Sequence, residues 1–226
     1  MINLLLMTSL TLLCYVGGRW IYRLFPNPLL LPVITATILL LFILFLFDIP
    51  YETYIDGAGW LEYIIGIAVV ALAYPLYRQL AILKKYRVSL LIGTAVGSVI
   101  GVFSTFLLTS LLGVDQGTIA SLLPKSVTTA VAIDLAETAG GESSLAAIFV
   151  TVAGVTGTIL YPLICKWVRI EHVVGRGVAV GSASHAIGTA KALEFSEEEG
   201  AISSVAMTLC AIMVSILIPI VAMIWF

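Results

Sequence analysis

Six stretches of this sequence are long and apolar enough to cross a lipid bilayer. They comprise residues 2–24, 29–47, 60–80, 88–112, 145–167 and 201–224. Because a membrane-spanning helix needs about 20 predominantly apolar residues, each stretch predicts a transmembrane helix. Of the 226 residues, 61% are hydrophobic and 11% are charged, and a soluble fold of this size could not remove so much apolar surface from water. The sequence therefore predicts an all-α polytopic membrane protein, embedded in the lipid bilayer.

The remaining composition argues against several classes of protein. The net charge is −2 and no basic stripe could follow a phosphate backbone, so we expect no nucleic-acid partner. Cys14, Cys165 and Cys210 lie in apolar stretches without metal-ligand spacing, which predicts small apolar fillers and no metal site. Nucleophile elbows and phosphate-binding loops are absent from the sequence. We therefore expect neither an enzyme nor a cofactor.

Loop charges predict the orientation of the helices. Arg19 and Arg23 end the first apolar stretch, and four basic residues lie between positions 78 and 87, whereas the loop 48–59 is acidic. Because basic loops tend to stay in the cytoplasm, the N-terminus is predicted to lie outside. It carries no basic residue before its apolar stretch, so we expect a first transmembrane helix rather than a signal peptide.

Two further segments, residues 118–140 and 175–194, are too rich in Gly, Ser, Thr and charge for ordinary spans. If the first crossed the membrane, Lys166 and Arg169 would lie outside, against the positive-inside rule. The first segment is therefore predicted to be a broken or re-entrant helix. The second has no basic loop after it, so whether it crosses the membrane stays open.

The two polar segments resemble each other. Residues 126–132 and 182–188 both read Ser, small, hydroxyl, polar, Ala, branched, small. If they are copies, they enter from opposite faces as an inverted repeat, and transporters often bind substrate where two such broken helices meet. The alternative is a chance resemblance between two small-residue stretches. We expect one integral membrane domain in four parts: helix pairs at 1–58 and 59–117, and broken-helix units at 118–170 and 171–226.

The first polar segment carries the features of an anion site. Pro124 suits the first turn of a helix, and a helix N-terminus exposes unpaired N–H groups and partial positive charge. An ammonium and three hydroxyls lie beside it, which favours a small carboxylate as ligand. These groups belong to Lys125, Ser126, Thr128 and Thr129. The alternative is a capped helix whose lysine extends towards the membrane surface.

The second polar segment adds further candidate ligands. His185 could donate to a carboxylate or take up a proton near neutral pH, although a structural histidine bonded to a backbone carbonyl is the alternative. The neighbouring glycines allow close approach of the backbone. The predicted substrate-binding residues of this segment are Ser182, Ser184, His185 and Thr189.

Several residues outside these segments have weaker signals. Arg78 and Arg176 are candidates for a substrate pathway, with a membrane anchor as the alternative for Arg78. The small-xxx-small spacing of Gly93, Gly97 and Gly101 predicts close helix packing, within the fold or between subunits. Residues 197–199, three glutamates, are expected to form a solvated helix start.

Four motifs, in order along the chain, resemble a known family. They are ALAYPLYRQ at 71–79, SLLPKSVTTAVA at 121–132, GSASHAIGTAK at 181–191 and EGAISSVAM at 199–207. The sequence is similar to the LrgB/CidB family, also called the holin-antiholin-like or YohK family. The resemblance extends over nearly the whole chain.

This resemblance implies a function and a setting. Relatives include the plastid glycolate/glycerate translocator and bacterial pyruvate facilitators, so the resemblance implies transport of small 2-oxo or 2-hydroxy monocarboxylates. Alternating access is the expected mechanism, with a proton or sodium as open choices for the coupling ion. The family further implies the bacterial inner membrane, a homo- or hetero-oligomer and a small LrgA/CidA-type membrane partner. The alternative function is an antiholin-like regulator of murein hydrolase activity and autolysis.

Overall fold

The computed structural model describes residues 2–25, 30–61, 63–64, 67, 70, 73–78 and 80–225. Within these residues every regular element is a helix, which confirms the predicted all-α class. Apart from a short 3-10 turn at Gly59–Leu61, the helices are α1 (Ile2–Leu24), α2 (Pro32–Leu46), α3 (Tyr51–Ala58), α4 (Ala73–Arg78), α5 (Leu80–Lys85), α6 (Arg87–Leu111), α7 (Gln116–Leu122), α8 (Thr129–Thr138), α9 (Ser143–Val168), α10 (Val173–Phe195) and α11 (Glu197–Trp225).

Four of the described helices, α1, α6, α9 and α11, are long and apolar enough to cross a membrane. Large apolar side chains on these helices, such as Leu13, Leu107, Leu163 and Ile216, are more than half exposed, as expected where lipid replaces water as the solvent. The chain is therefore a membrane protein. Helix α2 is apolar but has 15 residues, and the predicted span 60–80 includes positions outside the described residues, so the count of six spans stays a prediction.

The chain divides into two compact units, Met1–Ala71 and Leu72–Phe226. In the first unit, α1 packs on α2 where Gly18 allows close approach, since a Cβ there would lie 3.0 Å from the carbonyl oxygen of Pro32. The indole nitrogen of Trp60 donates to Thr8 at 2.8 Å, which ties the end of this unit to α1. The predicted division into four parts stays a prediction.

The first polar segment, in the second unit, doubles back on itself. Helix α7 ends at Leu122, residues 123–128 are non-helical, and α8 begins at Thr129. A Cβ on Gly117 would lie only 3.8 Å from the carbonyl oxygen of Gly140, whereas a straight helix would separate these positions by about 35 Å. The segment thus forms a hairpin, the first hairpin, whose two ends lie together. The sequence predicted that this segment breaks and returns to the end from which it starts, and the structure confirms this path.

The start of the first hairpin is held by local hydrogen bonds. Asp115 caps α7, because its side chain accepts the backbone N–H of Thr118 at 2.9 Å. This backbone bond lowers the pKa of the Asp115 carboxyl below its ordinary value. The hydroxyl of Ser121 accepts the backbone N–H of Glu142 at 2.7 Å, which joins α7 to the residue that precedes α9.

The second polar segment is also a hairpin, formed by α10. His185 has φ 41° and ψ −133°, which interrupts the helix and reverses its direction. Consequently the guanidinium carbon of Arg176 lies 5.5 Å from the ring centre of Phe195, although a straight helix would place these residues about 28 Å apart. We call α10 the second hairpin, and this geometry answers the question that the sequence left open: the segment returns to the end from which it starts.

The long helices α6 and α9 place the two hairpins. Helix α9 begins at Ser143, beside the ends of the first hairpin, and finishes at Val168, shortly before the second hairpin begins. A Cβ on Gly93 of α6 would lie 3.1 Å from Val178 of the second hairpin. Further along α6, a Cβ on Gly101 would lie 3.9 Å from the hydroxyl of Ser126 in the first hairpin. The hairpins therefore approach each other from opposite ends of the long helices.

The apolar core of this unit lies around the first hairpin and α11. Its buried members are small or branched, which lets short helices and a non-helical turn pack closely. They are Val102, Ile119, Leu123, Val127, Ala132, Val150, Cys210, Val214, Ile218 and Val221. Packing of this core fixes the tip of the first hairpin, the non-helical residues 123–128, against α11.

Candidate functional site

The tips of the two hairpins meet beside Cys210 of α11. Its Sγ lies 4.0 Å from the carbonyl oxygen of Ser126 and 3.7 Å from that of Ser182. The hydroxyl of Ser98 on α6 donates to the same sulfur at 3.3 Å. The small, weakly polar side chain of Cys210 thus contacts α6 and both tips without filling the space between the tips.

A cavity of about 510 Å³ lies between the tips, α6 and α9. Glycines on α6 form one wall, because a Cβ on Gly97 would already lie 3.6 Å from the Cβ of Ser182. The other lining residues include one lysine and several serines and threonines among apolar residues. The lining residues with polar side chains are Ser104, Lys125, Ser126, Thr156 and Ser182.

Among the described residues that line this cavity, Lys125 is the only one with a charged side chain. Its ammonium donates to the buried hydroxyl of Thr105, and that hydroxyl donates to the carbonyl of Gly101 at 2.6 Å. Within the described part of the chain no carboxylate pairs with this ammonium. An ammonium has three donors, and a half-buried positive charge without a counter-charge is unfavourable. The site therefore favours occupation by an anion.

Ser182 supplies a second group suited to a ligand. Its Oγ is buried and has no hydrogen-bond partner within the described residues. Since buried polar atoms are nearly always bonded, this unpaired hydroxyl would gain a partner if a ligand in the cavity displaced the atoms that cover it. Together with Ser126 it brings one hydroxyl-bearing residue from each hairpin tip to the cavity that holds the ammonium of Lys125.

The structure places the other predicted ligands of the first segment away from this cavity. Thr128 precedes α8 in extended conformation, and Thr129 begins α8 with an exposed side chain. Neither contributes to the cavity wall. Their role in binding stays a prediction without geometric support from this site.

The remaining predicted ligands of the second segment lie behind the cavity wall. The Nε2 of His185 lies 3.0 Å from the carbonyl oxygen of Val150, and the ring is buried. Thr189 donates to the carbonyl of His185 at 2.8 Å and lies 2.8 Å from the hydroxyl of Ser203. The buried Ser184 lies against Gly157 of α9. His185 and Thr189 thus hold the chain reversal, whereas the hydroxyl of Ser184 has no hydrogen-bond partner within the described residues. The contact of His185 with a backbone carbonyl is the structural alternative stated for that residue.

A second cavity of about 480 Å³ extends from the first along α6. The two share Gly93, Val178 and Ala179, and the second reaches Tyr86 and His172 at the start of α6 and α10. The shared section is narrow, because a Cβ on Gly93 would lie 3.1 Å from Val178. The glycine stripe predicted for helix packing thus faces the second hairpin and borders both cavities.

Arg78 and Arg176, the predicted pathway residues, both form ion pairs outside these two cavities. Arg78 pairs with Glu197 at 3.0 Å, and both side chains are about half exposed. The Nε of Arg176 lies 3.2 Å from Glu199 and donates to the hydroxyl of Tyr161 at 3.1 Å. The hydroxyl of Tyr161 also donates to Glu199.

The expectation that residues 197–199 form a solvated helix start is wrong for Glu199, which is 3% exposed. A single residue, Ser196, joins α10 to α11, so the first turn of α11 packs against the second hairpin at once. Glu199 faces inwards there and binds Arg176 and Tyr161. The sequence contained no sign of this, because three consecutive glutamates do not reveal which one faces the protein.

Replacing Glu199 with glutamine is expected to lower the free energy of unfolding by about 3 kcal/mol, because it leaves the Arg176 guanidinium without its counter-charge. The matched control is Glu197→Gln, which removes an exposed ion pair of the same type and should cost less than about 1 kcal/mol. Unfolding of the purified protein in detergent measures both variants. Equal losses would contradict the buried network.

Comparisons with known proteins agree with the motifs. The model of the LrgB-like family matches residues 11–224. The chain is 46% identical over 212 residues to the uncharacterized protein YxaC of Bacillus subtilis, covering 94% of this chain and 92% of that protein. It is 34% identical over 225 residues to the holin-like protein CidB of Staphylococcus aureus, covering 100% of this chain and 98% of that protein. No solved structure matches the chain significantly.

Proposed function

Because this chain belongs to the LrgB-like family, we propose that it is a membrane transporter of small 2-oxo and 2-hydroxy monocarboxylates, the class of pyruvate, lactate, glycolate and glycerate. One observation carries the proposal: Lys125 lines a cavity between two hairpin tips, and its ammonium has no carboxylate partner within the described residues. A monocarboxylate would supply the missing single negative charge.

The neutral groups of the cavity suit the rest of such a substrate. The hydroxyls of Ser126 and Ser182 can donate to a 2-oxo oxygen or bond a 2-hydroxyl group, since a hydroxyl is both donor and acceptor. The apolar wall contributed by Ala153 and Leu160 suits a methyl group. Enzymatic chemistry is not part of the proposal, because the cavity offers no acid–base pair or activated nucleophile among its described lining residues.

We propose alternating access around this cavity, with the hairpins as halves of an inverted repeat. The hairpins approach from opposite ends of α6, and their tips meet beside Gly97 and Gly101, close to the middle of this 25-residue helix. The longer helical arms, residues 173–184 and α8, are about 18 and 15 Å long, roughly half of the 30 Å hydrocarbon core. Tips at mid-membrane are typical of transporters with broken helices.

The finer topology belongs to the same proposal. We place six full spans in the bacterial inner membrane, with the N-terminus outside and the basic residues 78–87 in the cytoplasm. Uptake under an imposed proton gradient or an imposed sodium gradient distinguishes the two candidate coupling ions.

The printed name of one relative, the holin-like protein CidB, favours a second candidate function. In this alternative the chain is an antiholin-like regulator of murein hydrolase activity, acting as a homo- or hetero-oligomer with a small LrgA/CidA-type partner. Such a regulator needs exposed packing faces and has no need for an ammonium in a cavity.

Uptake by proteoliposomes that contain the purified chain, with and without an LrgA/CidA-type partner, separates the two functions. We expect saturable uptake of radiolabelled pyruvate, lactate or glycolate, inhibited by unlabelled monocarboxylates and unaffected by their neutral amides. Protein-free liposomes provide the control. Absence of uptake for the whole class, with and without the partner, would contradict transport and favour the regulator.

A further inference from the structure

A third cavity, of about 470 Å³, lies at the junction between the end of α9 and the start of the second hairpin. It is separate from the cavity at the hairpin tips, because the two have no lining residue in common. Three cationic side chains, Lys166, Arg169 and Arg176, line it together with one carboxylate, Glu171. Such a concentration of positive charge at the end of a membrane helix points to an anionic ligand.

Arg176 is oriented towards this cavity by its buried partners. Glu199 and Tyr161 both contact its Nε, at 3.2 and 3.1 Å. Its two terminal nitrogens have no hydrogen bond within the described residues, and the side chain is 29% exposed. The guanidinium is thus held through its Nε and by the nearby rings of Tyr161 and Phe195. Its terminal nitrogens remain without a hydrogen bond within the described residues, an arrangement suited to an oxyanion.

The turn after α9 places a second guanidinium at the same site. Arg169 ends α9 in the left-handed conformation, with φ 61° and ψ 42°. The backbone N–H of the next residue, Ile170, donates to the backbone carbonyl of Cys165 at 2.8 Å. Glycine adopts this conformation most easily at the end of a helix. An arginine here keeps a charged side chain at the cavity where glycine would be the more favourable residue for the turn.

The surroundings indicate a lipid. Trp167, next to Lys166, is 86% exposed on a membrane-spanning helix, and tryptophan at such an end prefers the level of the lipid headgroups. One turn further into the membrane, Leu163 and Ile164 are exposed and can contact acyl chains. The cavity therefore lies where a phospholipid would present its phosphate.

The charge of the site matches one phosphodiester. Counting Glu199, which pairs with Arg176, three cations face two carboxylates and leave a net charge of +1. We propose that this cavity binds the phosphate group of an anionic phospholipid such as phosphatidylglycerol. Lys166, Arg169 and the terminal nitrogens of Arg176 contact the phosphate oxygens.

Fluorescent phosphatidylglycerol and phosphatidylcholine, titrated against the full-length protein in neutral detergent, test this site. The double variant Lys166→Gln/Arg169→Gly removes two charges, and glycine preserves the left-handed turn. Each cation near a lipid phosphate contributes about a fivefold gain in affinity, so we expect the double variant to bind phosphatidylglycerol about 30-fold more weakly. The matched control, Lys84→Gln/Lys85→Gln, removes two exposed charges from the end of α5 and should leave binding unchanged.

Two further measurements complete the test. The melting temperature of the double variant without lipid should not fall, which separates lost binding from misfolding. Inorganic phosphate at millimolar concentration should not displace the bound lipid; displacement, together with no preference for phosphatidylglycerol over phosphatidylcholine, would assign the cavity to free phosphate and overturn the lipid. Equal phosphatidylglycerol affinity in the double variant and the wild type would overturn the site itself. Neither result depends on whether the chain transports carboxylates.

Discussion

Replacing Lys125 with methionine is expected to reduce monocarboxylate uptake by about 10- to 100-fold, because a charge-assisted contact to the substrate contributes about 1.5–3 kcal/mol. Methionine keeps an unbranched side chain in the cavity wall but removes the ammonium. Uptake of radiolabelled pyruvate, lactate or glycolate into proteoliposomes at substrate concentrations below saturation measures the effect.

Two controls make this prediction specific. The variant should be at least as stable as the wild type, since it removes a charge that has no carboxylate partner within the described residues. Thr151→Val removes an exposed hydroxyl of α9 outside the cavity and should leave uptake unchanged. Normal uptake by Lys125→Met would show that the ammonium does not bind the substrate.

Filling the cavity from the helix α6 side is expected to have a comparably large effect. In the variant Gly97→Leu, the new side chain would project towards Ser182 and occupy the space between the hairpin tips. We therefore expect uptake to fall to less than about a tenth of the wild-type rate. The Cβ of an alanine at this position would make an ordinary contact of 3.6 Å. Gly97→Ala should therefore retain most of the uptake, and alanine in place of a helical glycine stabilises a helix by about 0.5–1 kcal/mol.

The comparison between the alanine and leucine variants isolates the volume of the side chain. Both should reach the membrane in similar amounts, and uptake should depend on size alone. If the leucine variant transported normally, the substrate would not pass between Gly97 and Ser182.

The path of the first hairpin could be predicted because loop charge constrains it. Lys166 and Arg169 lie on the cytoplasmic side, as the positive-inside rule requires, only if residues 118–140 return to the side from which they enter. The structure shows this return. The second hairpin carried no such signal, since no basic loop follows it. Its reversal depends on one residue, His185, which adopts a positive φ that the sequence pattern does not reveal.

The same reversal explains which candidate ligands line the cavity. Lys125 and Ser126 lie in the non-helical tip of the first hairpin, and Ser182 lies about one turn before the reversal at His185, so that all three line the same cavity. Thr189 lies beyond the reversal, so its side chain faces α11 instead. Helical spacing cannot predict which side chains share a face on the two sides of a helix break, because the direction of the helix changes at the break.

Three other structural features had a weak signal in the sequence or none. The spacing of Gly93, Gly97 and Gly101 indicated close approach, but not that the approaching groups are hairpin residues around cavities. Cys210 looked like an apolar filler, and its position between both tips follows only from the packing of α11. Tertiary packing likewise turned Glu199 inwards, although its neighbour Glu197 remains exposed.

Protection of a single cysteine by substrate tests most directly whether the hairpin tips form a carboxylate site. Ala183→Cys places a thiol at an exposed position of the cavity wall, while the native cysteines, Cys14, Cys165 and Cys210, are buried. We expect a water-soluble thiol reagent to label this variant, and pyruvate, lactate or glycolate to slow the labelling whereas their neutral amides do not. Labelling at an unchanged rate in the presence of every one of these carboxylates would contradict a carboxylate site between the tips.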